Sequence, residues 1–149
     1  MAYTGDVSRG SAPAVRTLDH LTITKVSVGP MDNNAYLLRC GDDQLLIAAA
    51  NDDDTLLALI GDAGLATVVT THRHGDHWQA LEDVVEATGA RSLAHADDAA
   101  EIPVVTATLA EGDTVTVTVD GVGSLSNPVV AASPAAFAWL QGGPARSWS

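Results

Sequence analysis

Three of the five histidines lie close together in the segment THRHGDH at residues 71–77, here called the histidine loop. On an extended backbone residues i and i+2 project to the same side, so His72 and His74 can converge on one point. The glycine that follows permits a sharp turn, after which Asp76 and His77 stand where a helix begins. Neutral imidazole and carboxylate are ligands for zinc, and they also suit iron or manganese. The spacing therefore predicts a metal site with two imidazoles for one ion and a carboxylate with an imidazole for a second.

The elements on either side of the histidine loop are expected to hold it at the edge of a sheet. ATVVTT at 66–71 is a short, nearly all-apolar run, which is typical of a strand covered on both faces. WQALEDVVEAT at 78–88 places Leu81 and Val84 at helical spacing, and Gly89 is a stop signal. Ligand sites in α/β sheets lie just beyond the carboxyl ends of strands, which is where this loop is predicted.

The rest of the chain passes from consecutive strands to alternating strands and helices. Three antiparallel strands are predicted first, at 21–28, 35–40 and 44–50. A helix capped by Asn51 or Asp52 should follow to about residue 62, and further strands are predicted at 90–95 and 114–119. This order favours a mixed α/β layered fold.

Composition excludes several classes of partner. The 149 residues carry 7 basic and 19 acidic side chains, a net charge of −12, so the basic patch that nucleic acids or anionic membranes require is missing. Cys40 is the only cysteine, which suits a reducing cytoplasm, and the N-terminus lacks the pattern of a signal peptide. No apolar run reaches the ~18 residues of a membrane span. We therefore expect a cytoplasmic protein with a small-molecule substrate.

The histidine loop matches the H-x-H-x-D-H signature of the metallo-β-lactamase-fold hydrolases, and the chain resembles that family over about residues 18–120. The order LTITKVSVGPMDNNAYLLRC, QLLIAAAND, a helix and ATVVTTHRHGDHWQAL is similar to the family as well. The resemblance implies an αββα sandwich of two similar halves. It also implies His72 and His74 on a first metal, Asp76 and His77 on a second, and a metal-bound hydroxide that attacks an ester, thioester, amide or phosphoester.

The sequence departs from the family pattern at two places. Ala48 stands where the family usually has an acid that supports the metal ligands. The ligands of the family's second half, two further histidines and a bridging aspartate, have no counterpart, since no His, Asp or Glu follows Asp120. We therefore interpret residues 1–19 as a polar leader, 20–120 as the first half of a metallo-β-lactamase-like domain, and 121–149 as a divergent or frameshifted tail.

The main functional hypothesis is a hydrolase of small ester or thioester substrates that depends on one or two zinc ions, with iron or manganese as alternatives. Its ligands are His72, His74, Asp76 and His77, and Asp76 also acts in catalysis by orienting the attacking water or accepting its proton. One alternative is a truncated, catalytically inactive half-domain with a partial metal site. Another is an iron-dependent oxidoreductase of the same fold.

Three other residues carry open alternatives. His95 is either a substitute ligand, or a histidine at the surface or in support of a ligand, and the latter interpretation is favoured. Asn33 is assigned to a turn, with contact to substrate as the alternative. Trp78 is assigned to core packing, with a pocket wall as the alternative.

Overall fold

A computed structural model describes residues 3–119 and 123–128 of the chain. Residues 120–122 and 129–149 lie outside the described residues, and with them lies most of the segment interpreted as a divergent or frameshifted tail.

Four antiparallel strands form the first part of the main sheet, in chain order. They are β1 (Ala14–Thr17), β2 (Thr22–Val28), β3 (Asn33–Cys40) and β4 (Asp43–Ile47). The three predicted strands are confirmed as β2 to β4. β1 was not predicted, because its side chains are mostly exposed and leave no alternating pattern. Part of the segment interpreted as a polar leader is therefore an edge strand of the sheet.

β4 is shorter than the predicted strand at 44–50. Its ladder ends because Ala48 adopts a positive φ of 65°, which turns the backbone out of the strand direction. The carbonyls of Ala49 and Ala50 then accept hydrogen bonds of 3.1 Å from the N–H groups of Ala80 and Gln79. These bonds tie the end of β4 to the residues just before the second helix.

Three parallel strands extend the sheet beyond β4. They are β5 (Thr67–Val69), β6 (Arg91–His95) and β7 (Ala107–Leu109), and only β7 was not predicted. Helix α1 (Asp53–Ile60) lies between β4 and β5 in the chain, and helix α2 (Leu81–Thr88) lies between β5 and β6. This order confirms the predicted alternation of strands and helices.

The helix ends follow the capping signals of the sequence. The carboxylate of Asp52 accepts a hydrogen bond of 3.2 Å from the N–H of Thr55 and caps α1. Gly89 adopts φ 69° and ends α2 in the left-handed conformation. Within the described ranges, neither helix is long and apolar enough to cross a membrane.

The main core lies where the two helices pack on the sheet. Leu56 of α1 and Leu81 and Val84 of α2 are fully buried with Leu46 and Val68, which come from the central strands. Two further strands, β8 (Thr114–Val119) and β9 (Gly123–Pro128), form a separate antiparallel pair, and the backbone of β8 lies close to β3 and β4. The strand predicted at 114–119 is confirmed, as is the mixed α/β class.

Candidate metal centre

The histidine loop leaves the carboxyl end of β5, as the sequence predicts. It ends in one 3-10 turn, Gly75–His77, in which the N–H of His77 donates to the carbonyl of His74 at 3.0 Å. The helix predicted from residue 78 begins only at Leu81, because Trp78 leaves the turn at φ −142°, far from the helical value. The loop is therefore fixed at one end by the sheet and at the other by a turn.

The three imidazoles of the loop are direct neighbours. The ring centroid of His72 lies 4.1 Å from that of His77 and 4.8 Å from that of His74. In the part of the chain that the structure describes, no three His, Cys, Asp or Glu side chains form a complete ligand group for a metal ion. The loop therefore gathers the predicted ligands in one place without closing them around a common point.

Asp76 is held by a residue from another part of the sheet. The side-chain nitrogen Nδ2 of Asn33 donates to the carbonyl oxygen of Asp76 at 2.6 Å and to its carboxylate oxygen Oδ2 at 3.0 Å. The Nε2 atom of His77 lies 3.4 Å from the same carboxylate oxygen. The hydrogen bond from Asn33 is the main reason why the pKa of Asp76 lies below its usual value. Burial opposes this effect, and His77 lowers the pKa further. The carboxylate is therefore charged at neutral pH, as a metal ligand must be.

His72 is kept in the neutral form that binds metals. Partial burial lowers the pKa of His72 below its usual value, and the neighbouring His77 and His74 lower it further. The hydroxyl of Thr71 lies 3.0 Å from Nδ1 of His72 and can orient the ring. Neutral imidazole beside a charged carboxylate is the protonation state that metal binding requires, so the residues fit a divalent ion in their chemistry.

Trp78 and Arg73 also hold the backbone of the histidine loop in place. The indole Nε1 of Trp78 donates to the carbonyl of Arg73 at 2.8 Å, and the ring packs against the main core. The guanidinium of Arg73 lies 3.8 Å from Asp98 and 3.5 Å from Glu101, beyond β6. The core-packing interpretation of Trp78 is therefore confirmed, and its polar atom also fixes the peptide between His72 and His74.

His95 has other interactions at the end of β6. Its Nδ1 accepts a hydrogen bond of 3.2 Å from the N–H of Asp97 and lies 3.6 Å from the Asp97 carboxylate. This local pairing fits the favoured interpretation of a surface histidine. Cys40 is buried beside Leu45.

The sequence does not predict the role of Asn33 in this site. Its pattern indicates a turn, with contact to substrate as the alternative, yet its side chain reaches Asp76, which lies 43 positions further along the chain. The local pattern signals only the turn, because the contact exists only once the sheet has formed.

Comparison with known proteins gives relatives for part of the chain. No family model matches it. A hydroxyacylglutathione hydrolase of Acidiphilium cryptum is 34% identical over 110 residues, which cover 72% of this chain and 44% of that relative. The chain therefore spans less than half the length of this curated relative.

Solved structures are similar over about two thirds of the chain. A protein crystallised in a di-iron-bound form has a TM-score of 0.55 and 25% identity, and the match covers 62% of this chain and 58% of that one. A subclass B3 metallo-β-lactamase of Bradyrhizobium japonicum has a TM-score of 0.51 and 19% identity, over 68% of this chain and 47% of that one.

Proposed function

Because this chain belongs to the metallo-β-lactamase-fold family, we propose that it is a metal-dependent hydrolase. One observation carries the proposal. The histidine loop places three neighbouring imidazoles and a hydrogen-bonded carboxylate at the carboxyl end of a central strand. That position is the usual place for ligand sites in such sheets.

The four donors of the loop would hold the metal. His72 and His74 are assigned to one ion, and Asp76 and His77 to a second ion or to the same one. Zinc is the ion we propose, with iron or manganese as alternatives, and the di-iron form of the solved relative shows that at least one protein of similar structure takes iron. A bound ion would supply Lewis-acid polarisation of the substrate carbonyl and of a water molecule.

The chain's own residues prepare this chemistry. His72, whose pKa is lowered by burial, offers a free lone pair at neutral pH. Asp76, whose pKa is lowered by Asn33, stays charged and can orient a water molecule or accept its proton. Trp78 and Arg73 hold the backbone between the two leading histidines.

A thioester is the substrate class we propose. The curated relative is named for the hydrolysis of hydroxyacylglutathione, which is a thioester. The net charge of −12 favours small molecules over nucleic acid. The single cysteine, which suits a reducing compartment, is the basis for proposing a cytoplasmic protein.

A second candidate function is a metal-binding domain without hydrolase activity. It is favoured by the absence, within residues 3–119 and 123–128, of any three donors that form a complete ligand group.

The test is hydrolysis of a hydroxyacylglutathione thioester by the full chain loaded with Zn²⁺, Mn²⁺ or Fe²⁺. We expect thiol release above background from the wild type and from His20→Asn, an exposed histidine outside the loop. We expect background rates from His72→Asn and Asp76→Asn. Metal binding without turnover of the wild type would favour the second candidate. Equal rates above background in all four proteins would contradict the roles assigned to His72 and Asp76.

A further inference from the structure

We propose that Asn33 is a positioning residue that fixes Asp76 and the turn of the histidine loop in the orientation that metal binding needs. The importance of that orientation rests on the proposed function, whereas the positioning itself can be tested without a metal. The amide of Asn33 has no direct place among the predicted ligands, and its effect passes through Asp76.

The geometry of the contact is unusually restrictive. One nitrogen, Nδ2 of Asn33, donates to both the backbone carbonyl and the carboxylate Oδ2 of the same residue, at 2.6 and 3.0 Å. Binding the main chain and the side chain of Asp76 together limits rotation of the carboxylate relative to the turn. The bond to the charged carboxylate is the stronger class of hydrogen bond. His77 Nε2, at 3.4 Å from the same oxygen, contacts the carboxylate as well.

Asn33 is itself fixed by the sheet. It is the first residue of β3 and lies opposite Val28, which is fully buried at the end of β2. The turn between them is held by Asp32, whose carboxylate accepts hydrogen bonds from the hydroxyl of Ser27 at 2.8 Å and from the N–H of Arg9 at 2.7 Å. The side chain of Asn33 therefore links the β2–β3 hairpin to the histidine loop and fixes the position of the loop relative to the hairpin.

The chemistry of the contact requires an amide. Aspartate at position 33 would have nearly the same shape, but its carboxylate oxygens cannot donate to the carbonyl and carboxylate oxygens of Asp76. Its negative charge would also repel the carboxylate of Asp76. Asn34 provides a matched control. It is the next residue of the same strand, and it is exposed, because successive side chains of a strand point to opposite faces.

The first readout is hydrogen exchange of the metal-free full chain, in which NMR monitors the backbone N–H groups of His77 and Trp78. Both N–H groups are hydrogen-bonded within the turn that Asn33 contacts. We expect Asn33→Asp to raise their exchange rates by about 10-fold or more, the effect of losing a bond to a charged group and adding a repulsion. Asn34→Asp makes the same change of charge and should leave them within about 2-fold of the wild type.

The second readout is titration with Co²⁺ alone, since its absorption spectrum reports ligand geometry. We expect Asn33→Asp to weaken Co²⁺ binding by about 10-fold or more and to change the visible bands, as loss of a supporting contact does in metal sites. Asn34→Asp should match the wild type. Asn33→Ala, which adds no repulsion, should shift both readouts in the same direction and by less.

The outcomes separate this inference from the proposed function. Faster exchange in Asn33→Asp, with no Co²⁺ binding by any of the proteins, would uphold the positioning role and refute the metal site. Unchanged exchange and an unchanged Co²⁺ spectrum in folded Asn33→Asp would overturn the inference while leaving the metal site intact. If Asn33→Asp does not fold, the same comparison is made with Asn33→Ala.

Discussion

Replacement of Gly29 by alanine tests how closely the β2–β3 turn fits against the region beside the histidine loop. Gly29 has φ 73°, in the left-handed region that strains L residues. A Cβ atom at this position would lie 2.7 Å from Cβ and 2.8 Å from Cγ of Asn51. Carbon atoms in contact normally lie about 3.5–4.0 Å apart, so the turn or Asn51 must move by close to 1 Å.

Two costs therefore combine in Gly29→Ala. The left-handed backbone costs about 1–2 kcal/mol for a residue with a Cβ atom. Forcing an extra carbon into an occupied space costs about 1–3 kcal/mol. We expect the free energy of unfolding to fall by about 2–5 kcal/mol.

Gly89→Ala is the matched control for the backbone cost. Gly89 has a similar φ of 69°, and among the described residues no heavy atom beyond its neighbours along the chain lies within 4 Å of an added Cβ. Urea denaturation followed by circular dichroism gives both free energies, and Gly29→Ala should lose about 1–3 kcal/mol more than Gly89→Ala. Equal losses would refute the steric argument and show that the turn is free to move away from Asn51.

Three further predictions concern the core and the loop. Leu46→Ala, at a fully buried position, should lower the free energy of unfolding by about 2–5 kcal/mol. Its control, Val15→Ala on exposed β1, should change that free energy by less than about 0.5 kcal/mol. Similar losses for the two variants in urea denaturation would contradict the assigned core. Nε2 of Gln44 is buried and donates hydrogen bonds of 2.8 Å to the carbonyls of Ile60 and Gly64. Gln44→Leu removes both bonds, so urea denaturation should show a free energy of unfolding lower by about 1–3 kcal/mol, and no change would contradict this. Burial and the neighbouring imidazoles hold the pKa of His72 below 6.5, so the unfolded chain binds this proton more readily and the metal-free fold should lose stability as pH falls through about 6.5. His72→Asn should make the free energy of unfolding depend less on pH in this range. An NMR titration that gives His72 a pKa above 6.5 would contradict the prediction.

Features that depend on neighbouring residues were predictable from the sequence. The carboxylate of Asp52 caps α1, and Gly89 ends α2, because both signals act within one turn of a helix. The burial of Leu81 and Val84 follows from their helical spacing. The position of the histidine loop after β5 follows from a short apolar run that is typical of a covered strand.

Features that depend on distant residues were not predictable. β4 stops at Ile47 because Ala48 adopts a positive φ, and the carbonyls that follow then bond to N–H groups before α2. Nothing in the alanine run 48–50 signals this change. α2 starts late because the loop closes its own 3-10 turn. The bond from Asn33 to Asp76 joins two segments that only the finished sheet brings together. Contacts between distant segments depend on how the strands are arranged in the folded sheet, and a local sequence pattern does not specify that arrangement.

The central claim is that the histidine loop binds a divalent metal ion. Equilibrium dialysis of the full chain against Zn²⁺, followed by elemental analysis, tests it most directly. We predict about one or two bound ions per wild-type chain, the same content in His20→Asn, and strongly reduced content in the double variant His72→Asn/His74→Asn. A wild-type chain that retains no more zinc than the folded double variant would contradict the claim.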